Sequence, residues 1–238
     1  MKRTAVACLL VASGVLTGSL GLVAAPQSGS PVNTLSAAEK AAGWTLLFDG
    51  KTTAGWRAYK GTEIPAGWTV SDGALTRTAK TSDIVSLDQY GDFELAFEWK
   101  VEAVSNSGVF IRATEEYPVI WNSAPEYQIL DNAGHADGKK PETSAGACYA
   151  LYAPAKDVTK TPGEWNQSRI VAKGTKVQHW LNGTKLLEYD TSTTEWAEKV
   201  AASKFAKFPN FAKAARGFVG LQDHGDKVAF RSIKIRTL

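Results

Sequence analysis

Residues 166–190 read NQSRIVAKGTKVQHWLNGTKLLEYD, and this stretch decides the fold class. Apolar and polar residues alternate along it. Two turn signals, Lys173-Gly174 and Asn182-Gly183, cut it into three short strands. Asn-Gly between alternating runs marks a tight hairpin, because both residues tolerate the positive φ such a turn requires. The same pattern continues outward in both directions. Strands are expected in TLLF (45–48), WTVSDGALTR (68–77, turning at Asp72-Gly73), DFELAFEWKV (92–101), GVFIRA (108–113), EYQILD (126–131) and ACYALY (147–152). Beyond residue 190 come GFVGLQD (217–223) and KVAFRSIKIRTL (227–238). Short strands at this spacing predict an all-β sandwich or barrel. One segment departs from the pattern. In TEWAEKVAASKFAKF (194–208), Trp196, Val200, Phe205 and Phe208 fall at helical spacing, which predicts one amphipathic helix on the sandwich or beside its mouth.

The 238 residues suffice for one large β domain. Residues 1–25 have the form of an export signal: Lys2 and Arg3, an apolar run from Ala5 to Leu22, then the small residues Val23, Ala24 and Ala25. The expected location is periplasmic or extracellular. Residues 26–42 read as a low-complexity linker, and 43–238 as one folded domain. No later stretch approaches the ~20 apolar residues of a membrane span. Of 27 basic and 24 acidic residues, removal of Lys2 and Arg3 leaves 25 against 24, a balance that gives no reason to expect nucleic acid or an acidic membrane as partner. Cys148 then stands alone, so the core and not a disulfide must hold the domain together.

Alternation also sorts the polar residues. In EYQILD, Glu126 and Gln128 share a face opposite Tyr127 and Ile129. In GVFIR, Val109 and Ile111 oppose Phe110 and Arg112, and in GLQDHG, Gln222 and His224 point together. A consistent sandwich puts Val109, Ile111, Tyr127 and Ile129 in the core. Arg112, Glu126, Gln128, Gln222 and His224 then gather on an outer, concave face, a grouping suited to a small carbohydrate. Each has a plainer reading. Arg112 and Glu126 can be a cross-strand ion pair, and His224 an ordinary turn residue. His135, in DNAGHADGKK, reads as solvated, and His179 as packed beside a hairpin. There is no GxSxG, Walker or dinucleotide-binding glycine motif, and no HxxxH or CxxC spacing.

Several motifs occur in a familiar order: GWTLLFDGKTTAGW (43–56), FELAFEWKV (93–101), NSGVFIR (106–112), EYQILDN (126–132), GEWNQSRIV (163–171), HWLNG (179–183), SKF (203–205) and GLQDHGDKVAFRSIKIR (220–236). The set resembles the 3-keto-disaccharide hydrolase family over the whole of 43–238. The resemblance implies a concanavalin-like jelly roll of two antiparallel sheets, with the ligand on the concave face. It also implies cleavage of glycosides already oxidised to a ketone at C3. Such a ketone acidifies the C2 proton, so a modest base can form an enolate that expels the C1 substituent, and water then adds back. On this reading His224 is the first choice for general base or acid, since an imidazole titrates near neutrality. Glu126 is the alternative base, or a ligand if a divalent metal polarises the ketone. No cofactor is otherwise implied. Arg112 and Gln128 hold the sugar and stabilise negative charge, Asn106 and Gln222 read hydroxyls, and Asp131 and His135 belong to the rim. The residues alone fit a lectin-like binding module equally well. An envelope adhesion domain is a third reading, and it predicts a large exposed apolar patch.

Overall fold

Each expected strand is apolar on one face, so it must pair at its edges and bury that face against a second layer. The computed structural model describes residues 31–238, together with Met1. The expected export signal otherwise lies outside the described residues, as do residues 26–30. The strands are β1 (Thr45–Leu46), β2 (Trp56–Ala58), β3 (Trp68–Ser71), β4 (Ala74–Arg77), β5 (Ile84–Tyr90), β6 (Phe93–Val101), β7 (Asn106–Ala113), β8 (Glu126–Leu130), β9 (Asn166–Lys173), β10 (Lys176–Leu181), β11 (Thr184–Asp190), β12 (Gly217–Leu221) and β13 (Val228–Thr237). The α-helices are α1 (Ala37–Ala41) and α2 (Thr194–Ala201). One antiparallel sheet runs β11-β10-β9-β6-β13-β4-β3, with β1 also paired to β13; the other runs β2-β5-β12-β7-β8. The two sheets form an all-β jelly-roll sandwich. At the Asn182-Gly183 turn both residues have positive φ (47° and 78°), as the hairpin signal required.

Between the sheets Trp99, Tyr127, Phe93, Phe230 and Leu95 are fully buried. Their polar atoms are satisfied within the core. Ser168 Oγ receives the Trp99 indole N–H at 2.8 Å and lies 2.8 Å from the Tyr127 hydroxyl. Val109, Ile111, Tyr127 and Ile129 all face this core, as alternation predicted. The opposite face of the five-stranded sheet carries a smaller apolar cluster that includes Val85, Phe110, Ile120 and Phe218.

Alternation fails at Arg112. The β7–β12 register shifts beside it and Arg112 takes a positive φ of 52°. Gly217 passes so close that a Cβ there would lie 2.4 Å from the Arg112 carbonyl carbon. A bulge re-aims the side chain. Arg112 donates to Gly91 O at 2.9 Å, Gly174 O at 2.7 Å and Asp92 Oδ1 at 3.1 Å, clamping the β5–β6 turn to the β9–β10 turn. It is a structural clamp and does not join the polar group on the outer face. Arg112→Ala is therefore expected to cost about 2 kcal/mol in urea unfolding, because two carbonyls lose a charged donor, with Arg112→Lys recovering only part.

Three other segments differ from their sequence reading. ACYALY (147–152) is no strand; Cys148 makes only isolated bridges, to Tyr127 and Tyr152, and Ala150 has a φ of 58°. The helix expected over 194–208 stops at Ala201, where Ser203 caps a separate 3-10 turn, Lys204–Lys207, by accepting from the Phe205 N–H. The chain reverses there so that Phe205 and Phe211 stack at 4.1 Å. Within the expected linker, residues 31–42 carry α1 with a complete capping box. They dock on the large sheet: Asn33 exchanges bonds with Ser232, and Glu39 pairs with Lys234. Among the described residues no helix is long and apolar enough to cross a membrane.

Candidate active site

The outer face of the five-stranded sheet is organised by register. Gly108 of β7 pairs with Gln128 of β8, and Gln222 continues β12 by donating its N–H to Gly108 O at 2.9 Å. Ile84 of β5 pairs with Leu221, so Asp83, one residue earlier, stands opposite Gln222. Asp83, Gln222, Gly108 and Gln128 therefore form one polar row across four strands. The adjacent row is Val85, Gly220, Phe110 and Glu126. Direct cross-strand partners share a face, so both rows look outward.

Glu126 bends from its own row into the polar one. A Cβ on Gly108 would lie 2.1 Å from Glu126 Oε1, so the missing side chain is what makes room for the carboxyl. Glu126 is 6% exposed. Burial pushes its pKa up to about 8; Lys204 opposes that rise, while Asp83 and Asp137 add to it. At neutral pH the carboxyl is mostly neutral. Lys204 lies 4.4 Å from the Tyr149 ring and 4.5 Å from the Trp121 ring, and packing there pulls its own pKa down against the pull of Glu126. Tyr149 is fixed by its N–H to Glu126 O, at 3.1 Å, and by its hydroxyl to Asp137 Oδ2, at 3.3 Å.

Three amides of this region have acceptors left without a partner. Asn106 Oδ1, Gln128 Oε1 and Gln222 Oε1 are buried acceptors with no protein donor. Orphaned acceptors of this kind cost stability unless a ligand or water supplies a proton. A polyol does so. At the Asn106 end, Asn106 Nδ2 lies 3.5 Å from His135 Nε2, and the His135 and His224 rings are 6.0 Å apart. His224 is exposed and lies 3.7 Å from Asp226, which also accepts the Asn106 N–H at 3.0 Å.

Of the residues expected from the sequence, Glu126, Gln128, Asn106 and Gln222 share the face, with His135 and His224 on its rim. Arg112 is absent from it. Asp131 is a loop organiser: its carboxylate accepts from Val104 N at 2.9 Å and Ala133 N at 3.1 Å. Among the described residues no three His, Cys, Asp or Glu side chains are grouped to hold a metal ion, so the divalent metal considered from the sequence meets no ready donor set. Sequence reasoning missed Asp83, Lys204, Tyr149, Asp137 and Trp121. Lys204 sat inside the expected helix and Tyr149 inside the expected strand. The serine before Lys204, a ready N-cap, was the available signal for a break there.

Comparison with known proteins bears on the fold and the family. The chain is 34% identical over 229 residues to a 3-keto-disaccharide hydrolase of Bacteroides thetaiotaomicron, covering 82% of this chain and 79% of that one. Two crystal structures from Parabacteroides distasonis, both provisionally assigned as glycosyl hydrolases, are also similar. One has a TM-score of 0.82 at 34% identity, covering 87% of this chain and 100% of the other. The second has a TM-score of 0.65 at 32% identity, covering 82% and 99%. Residues 43–236 match the model of one family across the whole sandwich, polar row included, and the chain belongs to that family, the 3-keto-alpha-glucoside-1,2-lyase-like domain.

Proposed function

We propose that this chain, a glycosidic-bond hydrolase by family, acts on a 3-keto-disaccharide or 3-keto-glycoside through elimination and rehydration. The carrying observation is the cluster of three unpaired amide oxygens around a buried, mostly neutral carboxyl. The amides take sugar hydroxyls. Loss of the C2 proton leaves an enolate whose oxygen is stabilised by the Lys204 ammonium. The enolate collapses to a C1=C2 enone as the C1–O bond breaks, and Glu126 supplies a proton to the departing oxygen. A carboxyl with a pKa near 8 holds that proton at neutral pH, which an ordinary carboxylate does not. Water then adds its oxygen at C1 and a proton at C2, giving the free 3-keto sugar. On the same reading, residues 1–25 direct export and the reaction takes place outside the cytoplasm.

The test is to incubate protein with a 3-keto-disaccharide in D2O and examine the released 3-keto sugar by mass spectrometry and NMR. Elimination and rehydration place one deuterium at C2; direct hydrolysis at C1 places none. Release without C2 label would overturn the mechanism. No release, with calorimetric binding of unoxidised sugars, would make the domain a lectin-like module instead.

A further inference from the structure

We propose that Asp83 is the base of this site: its carboxylate takes the C2 proton of the bound 3-keto sugar while Glu126, across the polar row, serves the leaving oxygen. The assignment rests on the 3-keto-glycoside reading above and gives Asp83 the role of base for which the sequence offered His224 first, an imidazole that is exposed on the rim beside Asp226.

Position comes first. Asp83 begins the polar row and Gln128 ends it, with Gln222 and Gly108 between. Two strand spacings separate Asp83 from Gly108, roughly 10 Å between backbones. Glu126 bends over Gly108 from the other side and is close enough for the Asp83 charge to act on it, with Gln222 on the strand between them. On this assignment a pyranose ring lies over the polar row, with C2 turned to Asp83 and the C1 oxygen to Glu126.

Chemistry comes second. Asp83 Oδ1 accepts the Asp223 N–H at 2.8 Å, which aims the side chain. The nearby cation, Arg77, pairs with Asp223 at 2.7 Å. Burial and the Asp223 charge therefore act on Asp83, and the backbone N–H only partly offsets them, leaving a pKa of about 6. Asp83 is ionised at neutral pH and is a stronger base than an ordinary aspartate. The Tyr59 hydroxyl, in the same neighbourhood, is pushed up to about 12 and stays neutral. Two carboxyls with proton affinities pushed apart on one face have the signature of a base and an acid with separate tasks. In the step itself the C2–H bond breaks, the proton moves to Asp83, and the electron pair enters the enolate held by Lys204.

A 3-keto C-glycoside, whose C1–C bond cannot be expelled, isolates this step. In D2O the wild-type protein exchanges its C2 proton without cleavage. Asp83→Asn, which keeps the acceptor for the Asp223 N–H, is expected to slow that exchange at least 100-fold. Glu126→Gln is expected to lower sugar release from a 3-keto-disaccharide far more than it lowers exchange. Asp83→Ala with added formate guards against a folding artefact: restored exchange identifies a missing base. Exchange by Asp83→Asn at the wild-type rate overturns the assignment, and so does equal loss of both reactions in both variants. If the wild-type protein neither exchanges nor cleaves, the 3-keto-glycoside reading itself falls.

Discussion

Glu126→Gln is expected to lower sugar release on the order of 1000-fold and yet to make the protein about 3 kcal/mol more stable at pH 7. The two effects share one cause. The folded chain holds Glu126 near pKa 8 against an ordinary 4.5, with burial as the dominant influence. Between those values the unfolded chain has already released the proton that the folded chain retains. Stability therefore falls as pH rises through this window, by about 1.4 kcal/mol per pH unit. From pH 4.5 to 7 that amounts to about 3 kcal/mol, and the slope ends near pH 8. An amide in place of the carboxyl removes it. The check is urea unfolding of both proteins from pH 4 to 8. The advantage of the variant is expected to be near zero at pH 4 and to widen up to pH 8. A gap that does not change with pH would mean that Glu126 is not held protonated, and its role as proton donor would go with it.

The fold was legible because turns and parity are local. Asn182-Gly183 and Asp72-Gly73 declare their hairpins by residue type alone. The pairs Glu126/Gln128 and Tyr127/Ile129 separate onto two faces because strand geometry leaves no other choice. The site was legible only as far as parity holds. Arg112 left it because a bulge opposite Gly217 breaks the alternation, and that close approach depends on a strand a hundred residues away. Asp83 lies one residue outside β5, a strand the sequence reading did not pick out, so no parity argument reached it. Lys204 and Tyr149 arrive on irregular backbone whose course is set by tertiary contacts: the Phe205–Phe211 stack for one and the bridges of Cys148 for the other. Local pattern is silent about such segments, and they carry much of the electrostatics around Glu126.

His179 makes the opposite contribution to the pH dependence, and the two must be separated by difference. Its ring is fully buried, 4.8 Å from the Tyr127 ring and 5.6 Å from that of Tyr189, with Nδ1 3.0 Å from Gly146 O. Burial lowers its pKa from 6.5 to about 4, although the Gly146 and Ala147 backbone pulls the other way. The fold thus holds the neutral imidazole. On acidification the unfolded chain takes up a proton from about pH 6.5, while the folded chain waits until about pH 4. The stabilisation is complete above 6.5 and is lost on the way down, about 3 kcal/mol in all. Over that window Glu126 gains stability on acidification at the same rate, and below pH 6 Asp83 adds a second gain of equal slope. The wild-type profile is consequently expected to be flat between pH 6.5 and 6 and to rise by about 2 kcal/mol from pH 6 to 4.5, which hides the imidazole. Comparison with His179→Asn exposes the imidazole. The smaller side chain costs about 1–3 kcal/mol at pH 7 through lost packing, and it does not titrate. Its deficit should therefore shrink as pH falls from 6.5, closing or reversing near pH 4. Urea midpoints that differ by the same amount at pH 7 and pH 4.5 would show that the buried ring keeps an ordinary proton affinity.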